Sequence, residues 1–333
     1  MKEIFPEYHP LSDKNYKKLW DEGIFVFDAN VLLNLYRYSV STVKDLLDIF
    51  KIIEDRLWLP YQIALEYQEN RLNVILEQEE KYKKIIQDIK ESPIKIIKDL
   101  DKNLEKYNSR IENDDILQEL NHLYNGKVGN PYTDEQRAEY ENSAEKRFKK
   151  LIPPGYKDKD KTINERYGDV IIWLNVIEKA KALKKHLVFV TDDDKEDWWL
   201  VVRGRTISPR PELLREFGKE TKQLFWMYSS RKFIEYAKEY LKKDIKQNTI
   251  DEIEKQQKEI KGKGLLEAMI QRLEQQEAEK LQIGIENQKK IKEWLKRAQG
   301  ATTIDWDKLL RKREEKNDLG SHEDNKSEEN NDK

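Results

Sequence analysis

The chain has 333 residues, a formal net charge of −2, 38% charged side chains and 37% hydrophobic ones. That length allows one large domain with appendages, but the apolar share supports a compact core in only part of it and leaves much exposed helix. The absence of cysteine excludes disulfides, zinc–thiolate centres and thiol nucleophiles, and the near-zero charge confines any nucleic-acid contact to local basic patches.

Met1 to Pro10 is polar and proline-broken, unlike a signal peptide, and no apolar run approaches a membrane span. A soluble, cytoplasmic protein with no membrane contact is expected. Ile24-Phe25-Val26-Phe27 is a continuous apolar run, as in a strand buried on both faces. Asp28-Ala29-Asn30 follows it and opens a turn or helix. Residues 41–50 read as an amphipathic helix presenting Val43, Leu46, Leu47 and Phe50. Leu57-Trp58-Leu59 is a second strand candidate, and Pro60 opens a long helix carrying Glu66 and Arg71.

From about 77 to 160 the chain is highly charged and helical in period, with breaks at Pro93, Gly126 to Pro131 and Pro153-Pro154-Gly155. It reads as a helical insertion with little core of its own. Gly168-Asp169 begins a very apolar helix, and Leu187-Val188-Phe189-Val190 is a third strand that ends in Thr191-Asp192-Asp193-Asp194. Leu224 to Tyr228 gives a last strand and Arg231 to Leu241 a closing helix. Alternation of such strands with helices predicts an α/β fold of three layers, α/β/α, with a central parallel sheet. The domain is expected to span 1–242. A charged helical extension (243–316) follows, with a broken stripe of Leu266, Met269, Ile270, Leu273 and Leu281 that suits a helix binding a regulatory protein partner or a short coiled coil, with too few clean heptads to choose the latter. Residues 317–333 form a polar tail of disordered composition. His9, His122, His186 and His322 show no metal-ligand spacing and are expected at the surface.

In open α/β sheets ligands bind beyond the carboxyl ends of strands. Asp28 and Asp192 to Asp194 occupy two such ends, and Glu66 and Asp169 lie near helix starts that can reach the same edge. Four converging carboxylates repel one another and are tolerated chiefly where hard divalent cations neutralise them. Singly, each has a plainer role. Asp28 and Asp169 suit helix N-caps, Glu66 sits among solvated glutamates, and an aspartate run marks a solvated turn.

Taken in order, Phe27-Asp28-Ala29-Asn30-Val31-Leu32-Leu33, Leu59-Pro60 with Glu66-Tyr67, Gly168-Asp169, and Thr191-Asp192-Asp193-Asp194-Lys195-Glu196-Asp197-Trp198-Trp199 resemble a PIN domain, and more closely the bacterial PIN-like subgroup. The resemblance covers residues 1 to about 242, weakly across the insertion. It implies a nuclease, most often a ribonuclease, that uses Mg²⁺ or Mn²⁺ and leaves a 5′-phosphate and a 3′-hydroxyl. Asp28 and Asp169 would be principal metal ligands, with Glu66 completing the set. Asp193 fits the final aspartate of the family's Thr-x-Asp motif, with Asp192 the competing assignment. Thr191 would bond a carboxylate or the attacking water, and Asn30 would hold Asp28. A cation in such a site activates water and stabilises charge on the phosphate. Two departures stand out: the long Glu66-to-Asp169 interval and the chain beyond the domain.

Candidate phosphate contacts are Arg71, Lys195, Arg203, Arg205 and Arg210, with Lys146, Arg147, Lys149 and Lys150 in the insertion. Trp198 and Trp199 could stack bases, although packing on the domain's own helices is the favoured reading. The resemblance further suggests RNA as substrate and a part in defence against phage or in RNA quality control. The competing functions are a non-catalytic PIN-like adaptor that binds RNA or a partner, and a phosphatase of the haloacid-dehalogenase type. The latter normally needs an acid/base aspartate two residues after its nucleophile, where this chain has Asn30.

Overall fold

Ile24–Phe27 forms strand β1, apolar on both faces because both are covered. It is preceded by α1 (Asp13–Glu22), capped by Ser12, and followed by α2 (Ala29–Asn34), capped by Asp28, and α3 (Val40–Ile52), capped by Ser39. The computed structural model describes residues 1, 3–88, 110–162 and 165–262, with isolated positions between 286 and 293. The long helix α4 is Tyr61–Asp88. Then come α5 (Asp115–Leu123), α6 (Asp134–Lys149) with a Thr133/Gln136 capping box, and α7 (Gly168–Leu183). Strand β2 (Leu187–Val190), the pair β3 (Trp199–Val202) and β4 (Arg205–Pro209), α8 (Pro211–Thr221), β5 (Phe225–Tyr228) and α9 (Ser230–Tyr240) complete the series. Residues 247–262 are helical as well.

The fold is α/β. Strands β1, β2 and β5 form a parallel sheet in the order β1-β2-β5, with Phe25 opposite Val188 and Val188 opposite Trp226. Register sorts the side chains by face. Phe25, Phe27, Trp226 and Tyr228 meet rings from α1, α3 and α9, namely Tyr16, Trp20, Phe50, Phe233 and Tyr236. Phe189 and Phe225 point the other way, onto Trp198, Trp173 of α7 and Phe217 of α8. Helices therefore cover both faces.

Several expectations shift. Leu57-Trp58-Leu59 forms isolated parallel bridges, Phe25 to Leu57 and Leu59 to Val128, in place of a full strand. Pro60 stands just before α4 and its carbonyl accepts from Ala64 N. The antiparallel β3–β4 hairpin, absent from the sequence reading, turns at Arg203-Gly204, both with positive φ. His186 is buried, and its Nδ1 accepts from Leu224 N at 3.0 Å because it sits where β2 begins.

The insertion joins the core where it is described. Ile116, Leu120, Leu123 and Tyr124 pack into the main cluster, while Ala144 and Phe148 meet Tyr167, Val170 and Ile171 in a smaller one. The compact unit runs from Met1 to Ile260, beyond the expected boundary at 242, because Ile245, Ile250 and Ile253 are buried in the main core. A second unit covers Lys261–Lys333. The break at Pro93, the stripe from Leu266 to Leu281 and the tail from 317 lie outside the described residues. No helix among the described residues is long and apolar enough to cross a membrane.

Trp20 ties three elements together, α1, β5 and α9. It stacks on Phe233 and Tyr240 at 5.4 and 5.5 Å, and its Nε1 donates to Tyr228 Oη at 3.2 Å. Trp20→Ala is expected to destabilise the fold by about 3–5 kcal/mol, read as a shift of the urea unfolding midpoint with an unchanged slope. A shift under about 1 kcal/mol would show that α1 is peripheral.

Candidate active site

The three parallel strands end on one edge, which brings Asp28, Thr191 and the start of α9 together. Asp28 caps α2: Ala29 N donates to its Oδ1 at 2.8 Å. Its Oδ2 accepts from Asn30 Nδ2 at 2.7 Å and from Thr191 Oγ1 at 2.6 Å. Asn30 also donates to Thr191 Oγ1 at 3.2 Å and accepts from Asp192 N at 3.1 Å. Asp193 N donates to Thr191 Oγ1 at 3.0 Å. Asp28, Asn30 and Thr191 thus lock the ends of β1 and β2 together and fix the direction of the Asp28 carboxylate.

A second group lies beside the first. The Lys195 ammonium meets Asp158 Oδ2 at 2.8 Å, Asp169 Oδ2 at 3.1 Å and Asp193 Oδ2 at 2.8 Å. Asp169 sits in the first turn of α7 but makes no side-chain cap there, since the capping position is Tyr167. Glu66 reaches the start of α7 from α4, held by Gln62 Nε2 at 2.9 Å. Gly168 is what admits it: a Cβ there would fall 2.8 Å from Glu66 Oε1. The structure therefore brings Asp28, Glu66, Asp169 and Asp193 to one region of the edge, all of them half-buried.

Asp192 turns elsewhere. Ser230 N and Oγ donate to it at 2.9 and 2.7 Å, Asn34 Nδ2 at 3.0 Å, and Gln257 Nε2 adds a fourth bond. Its carboxylate is spent on the N-terminus of α9 and on the helical stretch 247–262, which explains why its neighbour is the one that meets Lys195.

Charge crowding marks the group. Burial pushes the Asp28 carboxyl up to about 6, with Asp193 adding to the rise and the Thr191 hydrogen bond opposing it. Burial, then the Asp28 charge, pushes Glu66 up to about 7. Asp169 is raised well above the ordinary range, again by burial first. For Lys195, burial works against the charged form, but Asp169 and Asp193 outweigh it and hold its pKa above the ordinary lysine value.

The basic candidates divide. Arg71 is drawn inward to Asp114 at 2.6 Å, beneath the Tyr36–Tyr67 hydroxyl pair, so its guanidinium is used in the core. Arg147 is buried on Glu216 and the Pro153 carbonyl. Arg210 binds Glu212 and the Glu196 carbonyl. Lys146, Lys149 and Lys150 are on the insertion's α6 and its end, all three exposed. Arg203 and Arg205 are exposed at the hairpin tip. Trp198 stacks on Phe189 and meets Trp173 edge-on, as the packing reading expected. Trp199 Nε1 donates to Asp193 O at 2.6 Å and roots the hairpin at the site.

Two acidic residues were not anticipated. Asp158, only 5% exposed, lies in the run Lys157-Asp158-Lys159-Asp160-Lys161, which reads locally as solvated loop. Asp197 is fully buried, and its Oδ2 accepts from Gly155 N at 2.9 Å and Lys157 N at 3.1 Å, fixing the loop that carries Asp158. Only its place inside the Thr191 to Trp199 motif could have signalled it.

A family model described as a PIN-like domain matches residues 24–97 and 84–213, more than half of the chain. The chain belongs to the PIN-like domain family, whose fold is generally that of nucleases and whose members typically use divalent metals. No curated protein and no solved structure gives a significant match. Among the described residues, no three Asp, Glu or His side chains already stand in a metal-holding arrangement. The donor chemistry nevertheless suits a hard cation: the candidate ligating atoms are carboxylate oxygens, and burial, which disfavours their charged forms, makes Asp28 and Glu66 hold protons tightly.

Two predictions follow from this geometry. Asp28 and Glu66 bind protons more tightly in the folded chain than at their ordinary values of 3.8 and 4.5. Stability of the metal-free protein therefore falls as pH rises through about 4 to about 7. Asp28→Asn should flatten that fall by on the order of 1–2 kcal/mol after solvent screening, seen in melting temperatures from pH 4 to 8. Parallel curves for the two proteins would remove the buried-charge reading. Separately, Asp192→Ala should cost about 1–3 kcal/mol, because Ser230, Asn34 and Gln257 lose their acceptor; denaturant titration that finds no change would show the anchor to be incidental.

Proposed function

We propose that this protein is a metal-dependent endonuclease that hydrolyses phosphodiester bonds, with RNA as the favoured substrate. The observation that carries the reading is the placement of Asp28, Glu66, Asp169 and Asp193 at the carboxyl edge of the parallel sheet, where membership of a nuclease-type family gives such carboxylates a purpose. Mg²⁺ or Mn²⁺ held by these residues would supply an activated water and charge stabilisation on the phosphate. Asn30 and Thr191 orient Asp28. Gln62 holds Glu66 against the start of α7, and cation binding would draw the protons from Asp28 and Glu66 near neutral pH. Arg203 and Arg205, exposed on a hairpin rooted at Asp193, would meet the backbone of a nucleic-acid strand. A cytoplasmic role in defence against phage, and regulation by a protein partner through the C-terminal segment, extend the same reading.

A second reading has an observation of its own. Lys195 already pairs with two of these carboxylates, Asp169 and Asp193, and with Asp158 beside them, and no metal-ready triad exists among the described residues, as suits a PIN-like adaptor that binds RNA without cutting.

Labelled single-stranded RNA and DNA, incubated with the purified protein in Mn²⁺ or Mg²⁺, separate the two. Metal-dependent cutting should fall more than about 100-fold in Asp28→Asn and Asp169→Asn, and about 10–100-fold in Thr191→Val, which only disturbs a ligand's partner. Folded variants that cut as well as the parent would place the chemistry elsewhere, and RNA binding without cutting by the parent would favour the adaptor.

A further inference from the structure

Lys195 behaves unlike a side chain waiting for a phosphate. Its ammonium donates to Asp158 and Asp169 at 2.8 and 3.1 Å and forms an ion pair with Asp193 at 2.8 Å, so its charge is taken up within the protein. The backbone on either side is pinned as well. Lys195 N donates to Asp193 Oδ1 at 2.9 Å, and Lys195 O accepts from Trp198 N and Trp199 N, both at 3.1 Å. Trp198 is locked in the core.

The carboxylates that receive it are built in from independent directions. Asp158 rides on a loop tied down by Asp197, and Gly155 presses that loop onto α7: a Cβ there would lie 2.8 Å from Val170 Cγ2 and 3.3 Å from Asp169 Cβ. Asp158 has one further cation, Lys161 at 3.2 Å, but that side chain is half exposed. Removing the Lys195 ammonium would leave a nearly buried carboxylate with only this outlying partner, an expensive state. A divalent ion ligated by these oxygens at about 2.0–2.1 Å would sit against the ammonium, and the two positive charges would repel.

We propose that Lys195 is a resident cation of the site, holding the Asp158, Asp169 and Asp193 oxygens that a second divalent ion would otherwise take, so that the site admits a single ion. The inference rests on the metal-dependent reading given above. It makes Lys195 a positioning residue, and Asp193 works chiefly by holding it. Asp28, Glu66 and the remaining oxygen of Asp169 are then the donors left for the one ion.

The test counts ions and does not depend on activity. Metal-free full-length protein is titrated with Mn²⁺ and free Mn²⁺ is followed by electron paramagnetic resonance. The parent and Lys195→Arg should each bind one ion, whereas Lys195→Met should bind two, or one at least about tenfold more tightly, because a neighbouring positive charge is gone. If Lys195→Met fails to fold by circular dichroism, Lys195→Met combined with Asp158→Asn removes the buried charge pair together, and it should bind one ion with the same tightening. Two ions in the parent, or an unchanged count and affinity on loss of the lysine, would overturn the inference while leaving the metal-dependent nuclease standing. No Mn²⁺ bound by any folded form would overturn that underlying reading, and this one with it.

Discussion

Parallel strands deliver all their carboxyl ends to one edge, and here that edge must hold more carboxylate than a protein interior readily accepts. Much of the local architecture is a response to that load. Asp28 is placed on the N-terminus of α2, Asp192 on that of α9 and Asp169 in the first turn of α7, where free N–H groups and the helix dipole favour negative charge. Asn30 and Thr191 supply side-chain donors to Asp28, and Lys195 supplies a full positive charge beside it. The compensation is incomplete, since burial still raises Asp28 and Glu66 to about 6 and about 7. Crowded, partly desolvated carboxylates of this kind are the donors that a hard divalent cation would neutralise.

The rest of the chain keeps these groups in place. Aromatic rings on both faces set the height of the edge, with Phe27 against Phe50 and Phe189 against Trp198. The segment before α7 is held by Arg147, which bridges Glu216 of α8 and the Pro153 carbonyl, and by Asp197 below it. From the other side, residues 247–262 close on the domain through Glu252 to Ser39 and Thr42, Thr249 to Asp45, and Gln257 to Asp192. The compact unit therefore ends near 260 because the last helical stretch completes the environment of a residue next to the site.

The sequence made the strands and their terminal acids legible because both are local signals: a short apolar run, then a polar residue that can cap a helix. Ile24–Phe27 and Leu187–Val190 are such runs, and the motif around Thr191 marked the second edge. What was hidden depends on pairing over long distances. Asp158 sits in a lysine-rich run that reads as solvated loop, and only folding brings it to Lys195, 37 positions away. Arg71 looked free because Asp114, its partner, lies in the charged insertion. The helix 247–262 has the composition of an appendage, and three isoleucines in its region, Ile245, Ile250 and Ile253, are the apolar ties to the core.

Asp192 and Asp193 show why composition underdetermines a site even when its motif is recognised. Adjacent residues leaving a strand point to opposite sides, so identical side chains meet different surroundings. One turns to Ser230, Asn34 and Gln257 and becomes a structural acceptor. The other turns to Lys195 and joins the charged group, with its own backbone carbonyl gripping Trp199 and so the hairpin beyond. A change at the first position acts on the fold, and a change at the second acts on the field that any bound cation or phosphate would feel. The two functions are separated by a single peptide unit, and the separation comes from the geometry of the strand end, not from the chemistry of the residues.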